Sequence, residues 1–407
     1  MTMELFKIAW RNIWRNKKRT MITAGSIFFA LTLSILMVGL QTGTYDNMIK
    51  TSVEDFYGYI QVHKDGYTED KVLINSMDYS PEIQEFLTSD ENVNELHPRI
   101  ETFTLSAFGN KTKGIPIIGV IPELEFEKPG LKKRLIAGDF PTSENGGLLI
   151  TEKYAEYMGV QIGDSIAFIG QGYQGISAVG LYPVVGIIKL PNPQLNAGLA
   201  YMVLEQAQEL FSLQGMVTSV VLRLDDNSSY EETTDQLASN LPEGYEILNW
   251  EEEMPELVQM IESDQKSGQM MLLILYVVIG FGIFGTALMM IAERIKEFGV
   301  MISLGMQKTK VIILVAVEMI FISFVGIVSS ILASIPIMYY LYVNPITFTG
   351  EMAETYESMG FEPIMPVAWD LSYYLTQPFI VIVITILAML YPLYGLRKMN
   401  VIKALKK

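Results

Sequence analysis

Four uncharged runs divide an otherwise polar chain. Arg19 and Asp46 bracket the first, Lys266 and Glu293 the second. The third starts at Val311 and continues past Glu318 to Ser334, just before Pro336, and the fourth lies between Asp370 and Arg397. A helix needs roughly 20 apolar residues to cross a hydrocarbon core of about 30 Å. The pattern therefore predicts spans over 21–45, 267–292, 311–335 and 371–396. The first run is too long for the h-region of a signal peptide, and no small-x-small cleavage site follows it, so it reads as an uncleaved anchor.

Between the first two spans the period changes. Alternating or continuous apolar runs bounded by turn residues predict strands at 57–64, 100–109, 115–121, 181–190 and 217–225. Helical spacing recurs at Ser80–Leu87, Glu152–Met158 (closed by Gly159), Leu204–Phe211 and Tyr230–Leu241. Strand-helix-strand runs open this region (57–109) and close it (217–250). They predict an α+β domain over 46–266, in which the two ends form a porter-like subdomain and a β-rich subdomain is inserted at about 110–215. Beyond 250 the chain leads into span two, which can continue outward as one long helix.

Two flanking segments are amphipathic. In residues 1–20, Leu5, Ile8, Ala9 and Ile13 share one face, while Lys7, Arg11, Arg15 and Lys17 to Arg19 hold the other. This predicts an interfacial helix with Trp10 and Trp14 at headgroup level. Residues 293–310 are polar at both ends but apolar at Phe298, Val300, Met301, Ile302 and Leu304. Such a short helix fits a partner's groove, or it packs as an extension of span two.

Charge then assigns sides. Residues 1–41 carry six Lys/Arg and one acid, 292–310 four and two, and 395–407 five and none. The loop 337–370 has five acids and no Lys or Arg, and residues 42–268 have 14 basic and 36 acidic residues. Basic and acidic segments alternate at every crossing, which places both termini and 293–310 in the cytoplasm and puts the large domain and the loop 336–370 outside. The net charge of −16 is thus a map of sidedness, and Glu318 is the one acid inside a span. An intramembrane acid is a functional candidate. Near a helix end it can also simply pair or reach water. Gly280, Gly282 and Gly285 would permit close helix packing in span two.

Composition and motifs exclude much. The chain has no Cys, and its two His lack metal-ligand spacing, so no metal site is expected. No phosphate-binding loop occurs, and a pI near 4.7 argues against nucleic acid as a partner. No catalytic constellation is found. His63 and His97 read as surface or satisfied residues, and Glu251–Glu253 as a solvated acidic surface.

The segment E-R-I-K-E-F-G-V-M-I-S-L-G (293–305) resembles the coupling segment of FtsX/MacB-type (type VII) ABC transporter permeases. The opening A-W-R-N-I-W-R-N-K-K-R-T resembles their N-terminal elbow, and G-G-L-L-I-T-E-K-Y-A-E-Y-M-G-V-Q-I-G-D-S-I-A-F resembles their periplasmic core. P-L-Y-G-L-R-K-M-N-V-I-K-A-L-K resembles their tail, with Val401 where Pro is usual. Within the family, Y-G-Y-I-Q-V-H-K-D-G-Y after span one is similar to a strand of the lipoprotein-releasing LolC/LolE branch. A length near 400 without a fused ATPase fits that branch too.

The resemblance implies a non-enzymatic permease subunit in the bacterial inner membrane. It implies no cofactor in this chain, since ATP and Mg would be bound by a separate cytoplasmic ABC ATPase. Expected partners are that ATPase, a second permease copy or paralogue in a dimer, membrane lipids, a lipoprotein substrate and a periplasmic carrier. Glu293, Arg294, Glu297, Gly299, Leu304 and Gly305 would couple to the ATPase, and residues 397–407 form the cytoplasmic tail. The implied work is mechanotransmission for lipoprotein release. Alternatives within the family are MacB-like export of a peptide, toxin or antibiotic, and FtsX-like signalling to a cell-wall hydrolase or sensor kinase.

Overall fold

The computed structural model describes residues 10–400 apart from 13, 16, 128 and 359–360. The expected interfacial helix therefore lies outside the described residues over 1–9, as does the tail over 401–407. The chain forms two compact units: residues 1–46 with 261–346 and 365–407, and residues 47–260 with 347–364.

The helical unit is built on α1 (Lys17–Ile49), α2 (Pro255–Glu293), α3 (Ile295–Ser303), α4 (Lys308–Val343) and α5 (Tyr373–Arg397). Among the described residues, the four long ones are apolar and long enough to cross a membrane. They outrun the hydropathy runs because polar residues continue the backbone ladder once a helix is nucleated. α4 does not end before Pro336 but runs seven residues past it, to Val343. A proline removes one backbone donor, a loss neighbouring helices can absorb in a membrane bundle.

Ile27, Leu31, Ile35, Met319 and Ile322 are fully buried between these helices. Small polar side chains cross-link them. Thr32 meets the Ser330 hydroxyl at 2.9 Å, Thr385 donates to Ser323 at 3.2 Å, and Gln377 of α5 accepts from both Ser34 of α1 and Tyr276 of α2. Such bonds hold where no hydrophobic effect separates helix from lipid. The glycines expected to allow close packing are a correction: a Cβ at Gly282 or Gly285 would meet nothing within 4 Å, and at Gly280 only an ordinary contact at 3.4 Å. A tight backbone crossing is at Gly326 of α4, where a Cβ would lie 2.9 Å from the Ala24 carbonyl oxygen of α1.

The second unit contains a ten-stranded sheet. Its strands in chain order are β1 (Ile60–Lys64), β2 (Met77–Asp78, in a separate small ladder), β3 (Val93–Phe108), β4 (Lys111–Val120), β5 (Leu135–Gly138), β6 (Leu148–Thr151), β7 (Ser165–Gln171), β8 (Ser177–Ile188), β9 (Ala200–Val203), β10 (Met216–Val217, paired with β2), β11 (Ser219–Leu224) and β12 (Tyr245–Asn249). One end runs β12-β1-β11-β3, all antiparallel, with helices Pro81–Leu87 and Tyr230–Ala238 as crossovers. That is a βαβ–βαβ arrangement of the ferredoxin type. The rest, β4-β9-β6-β8-β5 with β7, is inserted between its second and third strands. The division does not fall at a loop near residue 110. β3 passes through both parts, pairing β11 up to Arg99 and β4 from Ile100 onward. A strand can change partners while its alternation continues, so the join leaves no mark in the pattern.

Candidate functional site

The segment expected to couple to an ATPase is a short helix held at both ends. α3 starts after Arg294 and stops at Leu304, and Gly305 then takes a φ of +99°. The Gly305 N–H donates to the Ile302 carbonyl and the Met306 N–H to the Met301 carbonyl, each at 3.0 Å. This is a Schellman stop, which needs a left-handed residue at that position and so selects glycine. Phe298 and Gly299 point inward and are buried, whereas Val300 and Leu304 point out, Leu304 at 84% exposure.

An ion network fixes this helix to its neighbours. Arg294 is 4% exposed and Glu318 of α4 is 1% exposed, and Arg294 Nη1 donates to Glu318 Oε2 at 2.6 Å. Arg294 Nε donates to Glu297 at 2.9 Å, and its guanidinium lies 5.1 Å from the Phe298 ring centre. Asn12 of the N-terminal helix donates its amide to the other Glu318 oxygen, and Arg15 donates to both Glu297 oxygens at 3.1 and 3.0 Å. Burial alone would lower the Arg294 pKa, but Glu318 and Glu297 outweigh it and hold it above its usual value. The Arg294 hydrogen bond, with the charges of Arg294 and Arg15, holds the Glu297 carboxyl below the usual range.

Of the residues expected to act, the structure brings together Arg294, Glu297 and Glu318. Leu304 and Gly305 lie apart at the C-terminal end of α3, and Glu293 is exposed at the end of α2. Glu318 is thus the buried counter-ion of Arg294, at the start of α3. Asn12 and Arg15 were missed. Arg15 read only as one cation of an interfacial face, and no local pattern pairs Asn12 with an acid 306 residues away.

A second polar cluster lies in the sheet unit, where the histidines were expected to be surface or satisfied residues and Glu251–Glu253 a solvated surface. His63 and His97 are both buried. His63 Nδ1 faces the Thr218 carbonyl at 3.0 Å, and Nε2 faces Glu253 at 3.7 Å. His97 lies between Glu95 at 3.3 Å and Glu125 at 3.5 Å. Arg99, 1% exposed, bonds Glu125 at 2.8 Å and the Phe56 carbonyl at 2.7 Å. Burial would lower the Arg99 pKa, but Glu125 and Glu101 hold it above its usual value, while burial pushes the Tyr57 phenol up to about 12. Glu253 also corrects the sequence reading: its side chain is buried between Lys71 and His63, whereas Glu251 and Glu252 stay exposed, Glu252 closing a capping box with Asn249 and Glu251 accepting from the Tyr230 hydroxyl. Among the described residues no three His or acidic side chains converge on a metal-sized point.

Residues 20–240 match the MacB-like periplasmic core domain, over more than half of the chain, and residues 270–401 match the FtsX-like permease C-terminal family. The chain is an FtsX/MacB-type permease. The family accounts for the fold class: four long apolar helices with a large α+β domain between the first and second. Lipoprotein-releasing system transmembrane proteins LolC from two strains of Xylella fastidiosa are similar to this permease. One is 22% identical over 261 residues, 62% of this chain and 62% of the relative, so the permease spans less than two thirds of that relative's length. The other is 21% identical over 328 residues, 78% of this chain and 79% of the relative. A crystal structure of the periplasmic region of MacB from Actinobacillus actinomycetemcomitans is 14% identical, with a TM-score of 0.37, covering 54% of this chain and 98% of that one.

Proposed function

We propose that this permease is the membrane subunit of a mechanotransmitting ABC system that releases lipoproteins from the bacterial inner membrane. The observation that carries the reading is α3: a rigid nine-residue helix that exposes Val300 and Leu304 while its other face is tied by buried ion pairs to α4. A helix presented this way suits a groove in a cytoplasmic ATPase, and movement of the ATPase would pull on α4 and the N-terminal helix through Arg294 and Glu297. The charge map supports a cytoplasmic side for α3 and both termini, with the sheet unit in the periplasm. The apolar face of α2, on which Met270, Ile274, Val278 and Phe281 are 61–71% exposed, suits a second permease copy as well as lipid.

Lipoprotein release, the finer part of the reading, is supported by the LolC relatives' names. It is also supported by an uncovered apolar face on the sheet unit. There Leu105 pairs with Ile169 and Ile169 with Val179, and these residues with Phe103 and Leu181 are 43–69% exposed on adjacent strands. Apolar sheet faces of this kind mark interaction sites, here for a periplasmic carrier. Depleting the permease and fractionating the membranes tests the function. Lipoproteins should be retained in the inner membrane; normal delivery to the outer membrane overturns it.

A further inference from the structure

A cleft of about 480 Å³ opens in the sheet unit between the β5–β8 edge and the segment 347–364. Its walls carry Lys133, Arg134, Lys153 and Lys189. Residues 42–268 hold 14 basic side chains against 36 acidic ones, so four cations around one cleft reverse the local sign. Among the described residues Lys133 and Arg134 form no ion pair, while Lys189 reaches Glu152 at 3.3 Å. Leu135, Leu190, Phe348 and Ile364 give the wall an apolar part, next to the polar Asn196 and Thr347.

Two carboxylates, Glu357 and Glu362, line this cleft beside the four cations, so its wall keeps a net positive charge. Glu357, on the helix Glu351–Ser358, meets Lys153 Nζ at 2.6 Å, and both side chains are more than a third exposed. A half-exposed pair of this kind holds weakly. The Glu357 carboxylate therefore marks where an anionic group is received without closing the cleft to a stronger one. Arg134 supplies a planar fork for phosphate oxygens, and the lysines supply point charges around it. The volume is that of a small-ligand site.

We infer that this cleft binds a phosphate-bearing amphiphile, with the phosphate among Arg134, Lys153 and Lys189 and the apolar body against Leu190 and Phe348, in competition with Glu357. A phospholipid headgroup and free phosphate share this chemistry, and the apolar wall favours the lipid.

Full-length permease in an uncharged detergent would be titrated with dihexanoyl phosphatidylglycerol, dihexanoyl phosphatidylcholine and inorganic phosphate. Binding would be followed by native mass spectrometry and calorimetry. Phosphatidylglycerol should bind saturably and at least tenfold more tightly than phosphatidylcholine. Arg134→Gln with Lys189→Gln should weaken it about tenfold, and Glu357→Gln should tighten it about fivefold. Phosphate binding as tightly as the lipid, with the same response to the variants, would support the anion subsite but overturn the apolar one. Unchanged binding in all variants, or equal binding of both lipids, would overturn the proposal and leave the cations as a seat for the acidic segment only.

Discussion

Replacing Glu318 or Arg294 by Leu tests whether the coupling helix is held by charge. Both side chains are almost fully buried and meet at 2.6 Å. Removing one member of a buried pair costs about 3–5 kcal/mol, because the survivor remains charged in a poor dielectric. The two survivors are not equivalent. Without Glu318, Arg294 keeps Glu297 at 2.9 Å; without Arg294, Glu318 keeps only the Asn12 amide among the described residues. We therefore expect Glu318→Leu to cost about 3 kcal/mol and Arg294→Leu about 4 kcal/mol. The double variant leaves no orphaned charge and should cost no more than about 4 kcal/mol, a coupling energy of about 3 kcal/mol. That is roughly a hundredfold in the equilibrium between docked and released helices.

Trp10 provides the assay. Its ring centre lies 6.0 Å from that of Phe321, about one turn beyond Glu318 on α4. With the other three tryptophans, Trp14, Trp250 and Trp369, changed to Phe, its emission reports whether the N-terminal helix stays on α4 as permease in nanodiscs is heated. Each single variant should release Trp10 at lower temperature, Arg294→Leu the more so, and the double variant should lie close to the worse single. Additive effects, or release temperatures unmoved by either single change, would refute the reasoning.

Other outcomes follow from the same geometry. Leu304→Arg should leave the melting temperature within the range of a surface change, about 0.5 kcal/mol, yet abolish co-purification of the ATPase. Gly305→Ala puts a Cβ on a residue at φ +99°; it should cost about 1–2 kcal/mol and speed hydrogen exchange at the Met306 amide. Glu297, whose folded pKa is depressed, contributes stability that is fully present above the ordinary carboxylate value of about 4.3 and is lost as pH falls through its lower folded value. Its pair with Arg15 is half-exposed, so the effect should be under about 1 kcal/mol. An acid titration of Trp10 emission should show this step, and Glu297→Gln should remove it. Arg99→Met removes the guanidinium 2.8 Å from the buried Glu125 and should cost about 3–5 kcal/mol in thermal melting, with Glu125→Leu added in cis restoring most of it.

The spans were legible because hydrocarbon demands a long uncharged run, a property of contiguous residues. The strand-helix-strand runs at 57–109 and 217–250 were legible because each is a local period. The alternation of basic and acidic segments was legible because basic residues cluster within single short segments. Gly305 stood out through the family's L-G, and the structure supplies the reason in its positive φ. What could not be read were pairings at long range. Glu318 looked like an acid near a helix end until Arg294 and Asn12 met it from two other elements. Glu253 read as solvated, and His63 and His97 only as surface or satisfied residues, since nothing in their neighbours shows that β1, β3 and the turn before α2 converge. Gly326 sits at a close crossing while Gly280, Gly282 and Gly285 do not, because a close crossing depends on which faces of two helices meet. The sequence alone determined which segments are apolar and long enough to cross a membrane, which form the α+β domain between them and which carry positive charge, since those follow from local composition and period. Only the tertiary structure decided which charges are buried together, because a charge partner is set by where distant elements pack.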